Sequence, residues 1–250
     1  MSPPRFHARR ILGAFSSGSS RPLLAETEGG RFVIKLVHGP DGPRALAAEW
    51  LGHSLAVGVG LPAAELAAIE LDRSLAASVA EDELREAVAR GAGTCLGLRV
   101  LEGAAAATPA ELAAAPDDFA LRLLWLDVLL ENPDRVAHNP NVLRWGASLV
   151  PIDYAASLPF HHDWRLSEEA PAQGLEAPPG HLYAARAGGL GAWYRAFGPR
   201  PKREAFGAAA ASMPGEWLDG KAFPSAERER AAYAAYLWKR ARALDERYGG

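Results

Sequence analysis

Hydrophobic positions along the chain follow two periods, and the change between them divides it near residue 104. In the first part, short apolar runs alternate with turn residues. Residues 9–15 and 22–27 read as strands, and Glu28-Gly-Gly30 turns the chain into 31–37, the clearest strand of this half. Residues 66–71 and 94–101 complete the set, with 75–91 helical or irregular between them. One amphipathic helix, 44–57, follows the breaker Gly39-Pro-Asp-Gly-Pro43.

Beyond residue 104 the spacing becomes helical. Thr108-Pro-Ala-Glu111 is a capping box with Pro at the first helical position. A second helix opens at Asp117-Asp118, where acidic side chains suit the N-terminal dipole, and runs to 131. Phe119, Leu123, Leu126 and Leu130 form its stripe and Leu121, Leu124 and Leu129 thicken it, so burial on most sides is expected. Asp127 stands out in that stripe and is read onto an exposed strip or as a cap. A short strand is expected at 148–152 and a short helix at 190–197 within a segment rich in Pro, Gly and Ala. The helix expected at 225–248 carries Tyr233, Tyr236, Leu237 and Leu244 at helical intervals.

Composition narrows the classes. A chain of 250 residues suits one large domain or two lobes. Hydrophobic residues at 49% and charged residues at 23% are ordinary for a soluble globular protein. A net charge of −3 gives no basic footprint for nucleic acid. No apolar run approaches the roughly 20 residues of a membrane span, and Ile11–Phe15 is too short for a signal peptide. A cytoplasmic protein without nucleic-acid or membrane partners is therefore expected. Cys95, the single cysteine, excludes an intrachain disulfide and a Cys-based zinc site. His161-His-Asp163 has no third ligand at diagnostic spacing, and Gly58-Val-Gly60 follows a helix rather than a strand, so neither is read as a site.

The candidate chemistry lies after the apolar helix. The chain breaks at Asn132-Pro133, presents Asp134, then Asn139 five residues later and Asp153 at the end of the short strand. Asn-Pro-Asp and Asn-Pro-Asn are also ordinary turn chemistry. Phosphoryl transfer needs such a set: a carboxylate for the attacking hydroxyl, and an Asn and a second carboxylate to hold Mg²⁺ through hard oxygens. Lys35, inside a strand, needs an anion, an edge or solvent, because an unpaired buried ammonium is costly. Ser16, Ser17, Gly18, Ser19 and Ser20 are small enough for close backbone approach to phosphate, and equally suit a flexible hairpin.

The order helix, Asn-x-Asp-Arg, Asn-Pro-Asn-Val-Leu, strand, Ile-Asp-Tyr-Ala resembles the catalytic segment of the HipA-like kinases, and more distantly that of the phosphoinositide lipid kinases. The resemblance implies an α+β, bilobal, protein-kinase-like fold, with a β-rich N-lobe over 1–103, a hinge at Glu102-Gly-Ala104 and a helical C-lobe over 104–250. It implies ATP- and Mg²⁺-dependent phosphoryl transfer to a hydroxyl, of a protein Ser or Thr in this family, while the residues themselves leave the acceptor and the oligomeric state open. Asp134 would be the catalytic aspartate, Asn139 and Asp153 the metal ligands, and Lys35 with Glu49 the strand–helix ion pair. Ser16 to Ser20 and Lys35 would meet the ATP phosphates. Family members often carry His two residues after the catalytic Asp, where this chain has Val136, with His138 two places further on. That departure and the single glycine of the loop suit a nucleotide-binding scaffold. Nucleotidyl transfer with ATP reversed would use a related pocket.

Overall fold

The computed structural model describes residues 4–15, 21–167, 170–200, 202–218 and 220–250. Strands β1 (Arg5–Ala14), β2 (Leu23–Thr27) and β3 (Gly30–Lys35) form an antiparallel meander. Then come helix α1 (Gly42–Gly58), β4 (Leu66–Leu71), α2 (Asp82–Gly91) and β5 (Gly93–Arg99). β5 inserts between β3 and β4, and β4 pairs in parallel with β1, closing a barrel of order β1-β2-β3-β5-β4. β1 starts earlier than the expected residue 9, because Arg5, Phe6 and His7 pair with Ala68, Ile69 and Glu70, a long-range contact with no local signature.

The period of two decides which side chains fill the barrel. Leu23, Ala25, Phe32, Ile34, Ile69 and Cys95 meet inside it. Burial there pushes the Cys95 thiol up to about 12, as suits a packed core residue rather than a nucleophile. Lys35, one residue beyond Ile34, points to the opposite face, where α1 lies. The buried face of α1 joins a second, larger core with the helices that follow.

That part contains β6 (Ala105–Ala106), α3 (Pro109–Ala113), α4 (Asp117–Leu130), β7 (Val142–Trp145) and β8 (Ser148–Pro151). It ends with α5 (Leu190–Phe197), α6 (Arg203–Ala211) and α7 (Ala226–Tyr248). β6, β7 and β8 make a small antiparallel sheet that carries the chain into Asp153. The Thr108–Glu111 capping box is formed, and Tyr233, Tyr236, Leu237 and Leu244 are buried on α7 as their spacing implies. α6, an alanine-rich helix packed on α7, has no strong periodic signal of its own.

α4 is enclosed along most of its length. It ends on Glu131 in the left-handed conformation, leaving carbonyls with no partner in the helix. Buried Arg240 of α7 supplies donors: Nε to Leu129 O at 3.0 Å and an Nη to Val128 O at 2.6 Å. The same guanidinium reaches Gln173 O and Gly174 O, so one side chain binds the end of α4 to a distant loop. Among the described residues no helix is long and apolar enough to cross a membrane.

Candidate active site

Strand parity delivers Lys35, and Glu49 lies about two turns into α1. Lys35 Nζ donates to Glu49 Oε2 at 3.0 Å and to Asp153 Oδ1 at 2.9 Å. The ion pair with Glu49 is the one the sequence leads one to expect. Glu49 does more than pair. Its Oε2 also accepts the Tyr154 N–H at 2.8 Å, and its Oε1 meets His53 Nε2 at 3.1 Å. A single buried carboxylate thus joins β3, α1 and the backbone beside Asp153. Burial works against the Lys35 charge, but Glu49 and Asp153 outweigh it and raise the ammonium above its ordinary range. Glu49 shifts the opposite way: burial would raise it, yet Lys35 and then His53 hold it below the usual carboxylate range.

Asp153 has φ of 59°, left-handed for a residue with a side chain. Such a conformation costs on the order of 1–3 kcal/mol and persists where the surroundings over-determine it. Here Lys35 grips the carboxylate and Glu49 grips the next N–H. Tyr154 then turns inward against Gly52 of α1, where an added Cβ would stand 2.3 Å from Tyr154 Cγ. Gly52→Ala is expected to lower stability by about 1–3 kcal/mol through overpacking. An unchanged denaturation midpoint would mean that α1 can shift away from Tyr154 freely.

Asp134 stands at the start of a tight loop. Asn132 Oδ1 accepts the Asp134 N–H at 3.1 Å, an Asx turn, so turn chemistry accounts for Asn132. Val136 and Asn139 exchange backbone hydrogen bonds, and this closure swings Asn139 back. Asn139 Nδ2 donates to Asp134 Oδ2 at 2.9 Å, and Asn141 Nδ2 donates to the same oxygen at 3.2 Å. Asn141 is a partner that sequence reasoning passed over, although it is the second Asn of Asn-Pro-Asn. His53 was passed over too; its signal was its place four residues after Glu49.

Three oxygens are left over. Asn139 Oδ1 and Asp153 Oδ2 accept no hydrogen bond among the described residues, and Asp134 Oδ1 accepts none either. An amide oxygen and a carboxylate oxygen without partners form the kind of hard donor set that suits Mg²⁺. Ser16, Ser17, Gly18, Ser19 and Ser20 lie outside the described residues. Their flanks are paired by the Phe15 N–H donating to Pro22 O at 2.9 Å.

Asp127 corrects one of its two sequence readings. It is wholly buried rather than on an exposed strip. Oδ1 accepts Asn132 Nδ2 at 2.9 Å, and Oδ2 accepts Arg135 Nε at 2.6 Å and faces His181 Nε2 at 3.0 Å. Burial opposes its charge, but Arg135 and then His181 hold its carboxyl below the ordinary range. Glu49 and Asp127, both depressed in the folded protein, contribute stability that is complete above the unfolded-chain values near about pH 4 and is lost as pH falls below them. The melting temperature is expected to stay level down to about pH 5 and to drop below about pH 4. A level profile to pH 3 would contradict these charge assignments.

A family profile described as HipA-like kinase matches residues 8–170. Among solved structures, the chain is similar to the Helicobacter pylori proinflammatory kinase CtkA, with a TM-score of 0.64 and 12% identity over 98% of this chain and 97% of that one. At that identity the likeness is one of fold. No curated protein sequence matches the chain.

Proposed function

The chain belongs to the HipA-like kinase family, and from that premise we propose that it transfers the γ-phosphoryl group of ATP, with Mg²⁺, to a hydroxyl of a protein Ser or Thr. The observations that carry the proposal are two side-chain clusters, Lys35 with Glu49 and Asp153, and Asp134 with Asn139 and Asn141, whose segments meet where the Ile152 N–H donates to Asn141 O at 2.9 Å. In this reading the barrel side over 1–103 and the helical side over 104–250 are the two lobes of a protein-kinase-like molecule.

Each residue then has a defined task. Lys35, kept charged by Glu49 and Asp153, holds phosphate oxygens while Glu49 keeps its ammonium in place. Asn139 Oδ1 and Asp153 Oδ2 would hold Mg²⁺, whose charge would offset the negative charge of the transferring group. Asp134 Oδ1 receives the acceptor's proton, and Asn139 and Asn141 fix the other carboxylate oxygen so that Oδ1 faces outward. Ser16 to Ser20 would cover the phosphates. Incubation with γ-labelled ATP and Mg²⁺ tests the proposal directly: label is expected on protein hydroxyls, the chain's own included. Release of pyrophosphate with transfer of label from the α-position would favour nucleotidyl transfer instead.

Asp153→Ala is expected to abolish the tightening of ATP binding by Mg²⁺, because one of two protein oxygens for the ion is gone. Titration calorimetry with and without Mg²⁺ reads this. Unchanged Mg²⁺ dependence would remove Asp153 from the metal site.

A further inference from the structure

Arg135 follows Asp134 and is wholly buried. Its Nη1 donates to Pro140 O at 3.2 Å, Asn141 O at 2.7 Å and Ile152 O at 3.1 Å. Pro140 follows Asn139 directly, and Ile152 precedes Asp153 directly. One nitrogen therefore ties together the two backbone segments that carry the proposed metal ligands. The guanidinium is itself held on two sides, by Asp127 Oδ2 at 2.6 Å and by the Tyr154 ring, 5.0 Å from its carbon.

The last support comes from far along the chain. His181, 54 residues beyond Asp127, is buried, and its Nδ1 accepts the Tyr183 N–H at 3.1 Å. That bond leaves Nε2 to carry the proton and donate it to Asp127. The neighbouring Leu182 N–H donates to Arg135 O at 2.9 Å, and His181 bridges Val136. Segment 181–183 thus grips both Arg135 and its counter-ion.

We infer that Arg135 and His181 are positioning residues that set the separation of Asn139 and Asp153, with Asp127 as the joint between them. The inference rests on the proposed role of those two residues as metal ligands. A buried Asp–Arg–His cluster is a poor way to gain stability, since well-packed apolar groups serve as well or better. What it supplies is direction: a planar guanidinium whose Nε meets Asp127 while Nη1 reaches the carbonyls, two anchors at a fixed separation that neither an apolar side chain nor the single nitrogen of a lysine reproduces.

The test uses the full chain and ATP, with His181→Leu, His181→Gln and Arg135→Lys beside the parent. ATP affinity is measured by calorimetry in EDTA and across a Mg²⁺ series, and melting temperature is recorded for each protein. His181→Leu is expected to weaken the Mg²⁺ enhancement by about 10- to 100-fold, the usual scale for losing an outer partner of a metal ligand, with ATP affinity in EDTA unchanged. His181→Gln, whose amide reaches toward Asp127, is expected to recover most of it. Arg135→Lys keeps the charge for Asp127 but loses the fork, so it should show the same loss even if His181→Leu does not fold. Parental Mg²⁺ enhancement in either folded variant overturns the inference, as does an equal loss of affinity in EDTA. No Mg²⁺ enhancement in the parent itself would instead overturn the metal-ligand assignment on which the inference stands.

Discussion

Asp134→Asn is expected to slow phosphoryl transfer by about 10²-fold or more while leaving ATP affinity near that of the parent. Asp134 is bound through Oδ2 to Asn139 and Asn141 and makes no hydrogen bond or ion pair with Lys35 or Asp153 among the described residues. Its task lies with the acceptor, so its loss should appear in the transition state and not in nucleotide binding. The amide variant keeps one carbonyl oxygen for the two asparagine donors, and the loop should hold its shape. Melting temperature, ATP affinity and transfer rate, measured on both proteins, separate the possibilities. A scaffold has no transfer to lose. A residue that merely shapes the bend after Pro133 would lower the melting temperature, and unchanged transfer in a folded variant would remove Asp134 from the chemistry.

The largest stability loss is expected from Asp127→Ala, at about 3–5 kcal/mol. The substitution leaves the Arg135 guanidinium buried without its anion and takes away the acceptor for His181 and Asn132. Removing one partner of a buried ion pair costs more than the pair contributes, because the surviving charge stays out of water. Equilibrium unfolding in urea measures the difference. A loss below about 1 kcal/mol would mean that Arg135 finds water or another anion, and that the cluster is less closed than its geometry implies.

The sequence made the local elements legible and hid what joins them. The strands of the barrel, α1, α4 and α7 follow from hydrophobic period and breakers, since those patterns are set by near neighbours. A charge in an apolar strand has few places to go, and the resemblance to kinases is what singled out Glu49 as the partner of Lys35. Asp127 could not be placed the same way. A lone acidic residue in an apolar helix suits an exposed strip as well as a buried cluster, and the partners that decide are Arg135, past the helix end, and His181, whose chain path no period describes. Arg240 is a similar case: basic residues on a terminal helix usually face solvent, and only the path of α4 reveals the carbonyls it serves. β1 began early for the same reason, its first residues being strand only because β4 lies beside them.

The hold of Arg240 on the end of α4 has a consequence for how the protein is made. The bonds to Val128 O and Leu129 O span 112 and 111 residues, among the most remote contacts of the fold, whereas the barrel closes within its first hundred residues. Chains emerge from the ribosome N-terminus first and fold in that order. The nascent barrel can therefore form early, while the end of α4, from which the chain runs on to Asp134, waits for a side chain synthesised more than a hundred residues later. Phosphoryl transfer would be withheld from the growing chain until α7 has emerged and docked, and distant pairing of this kind folds slowly.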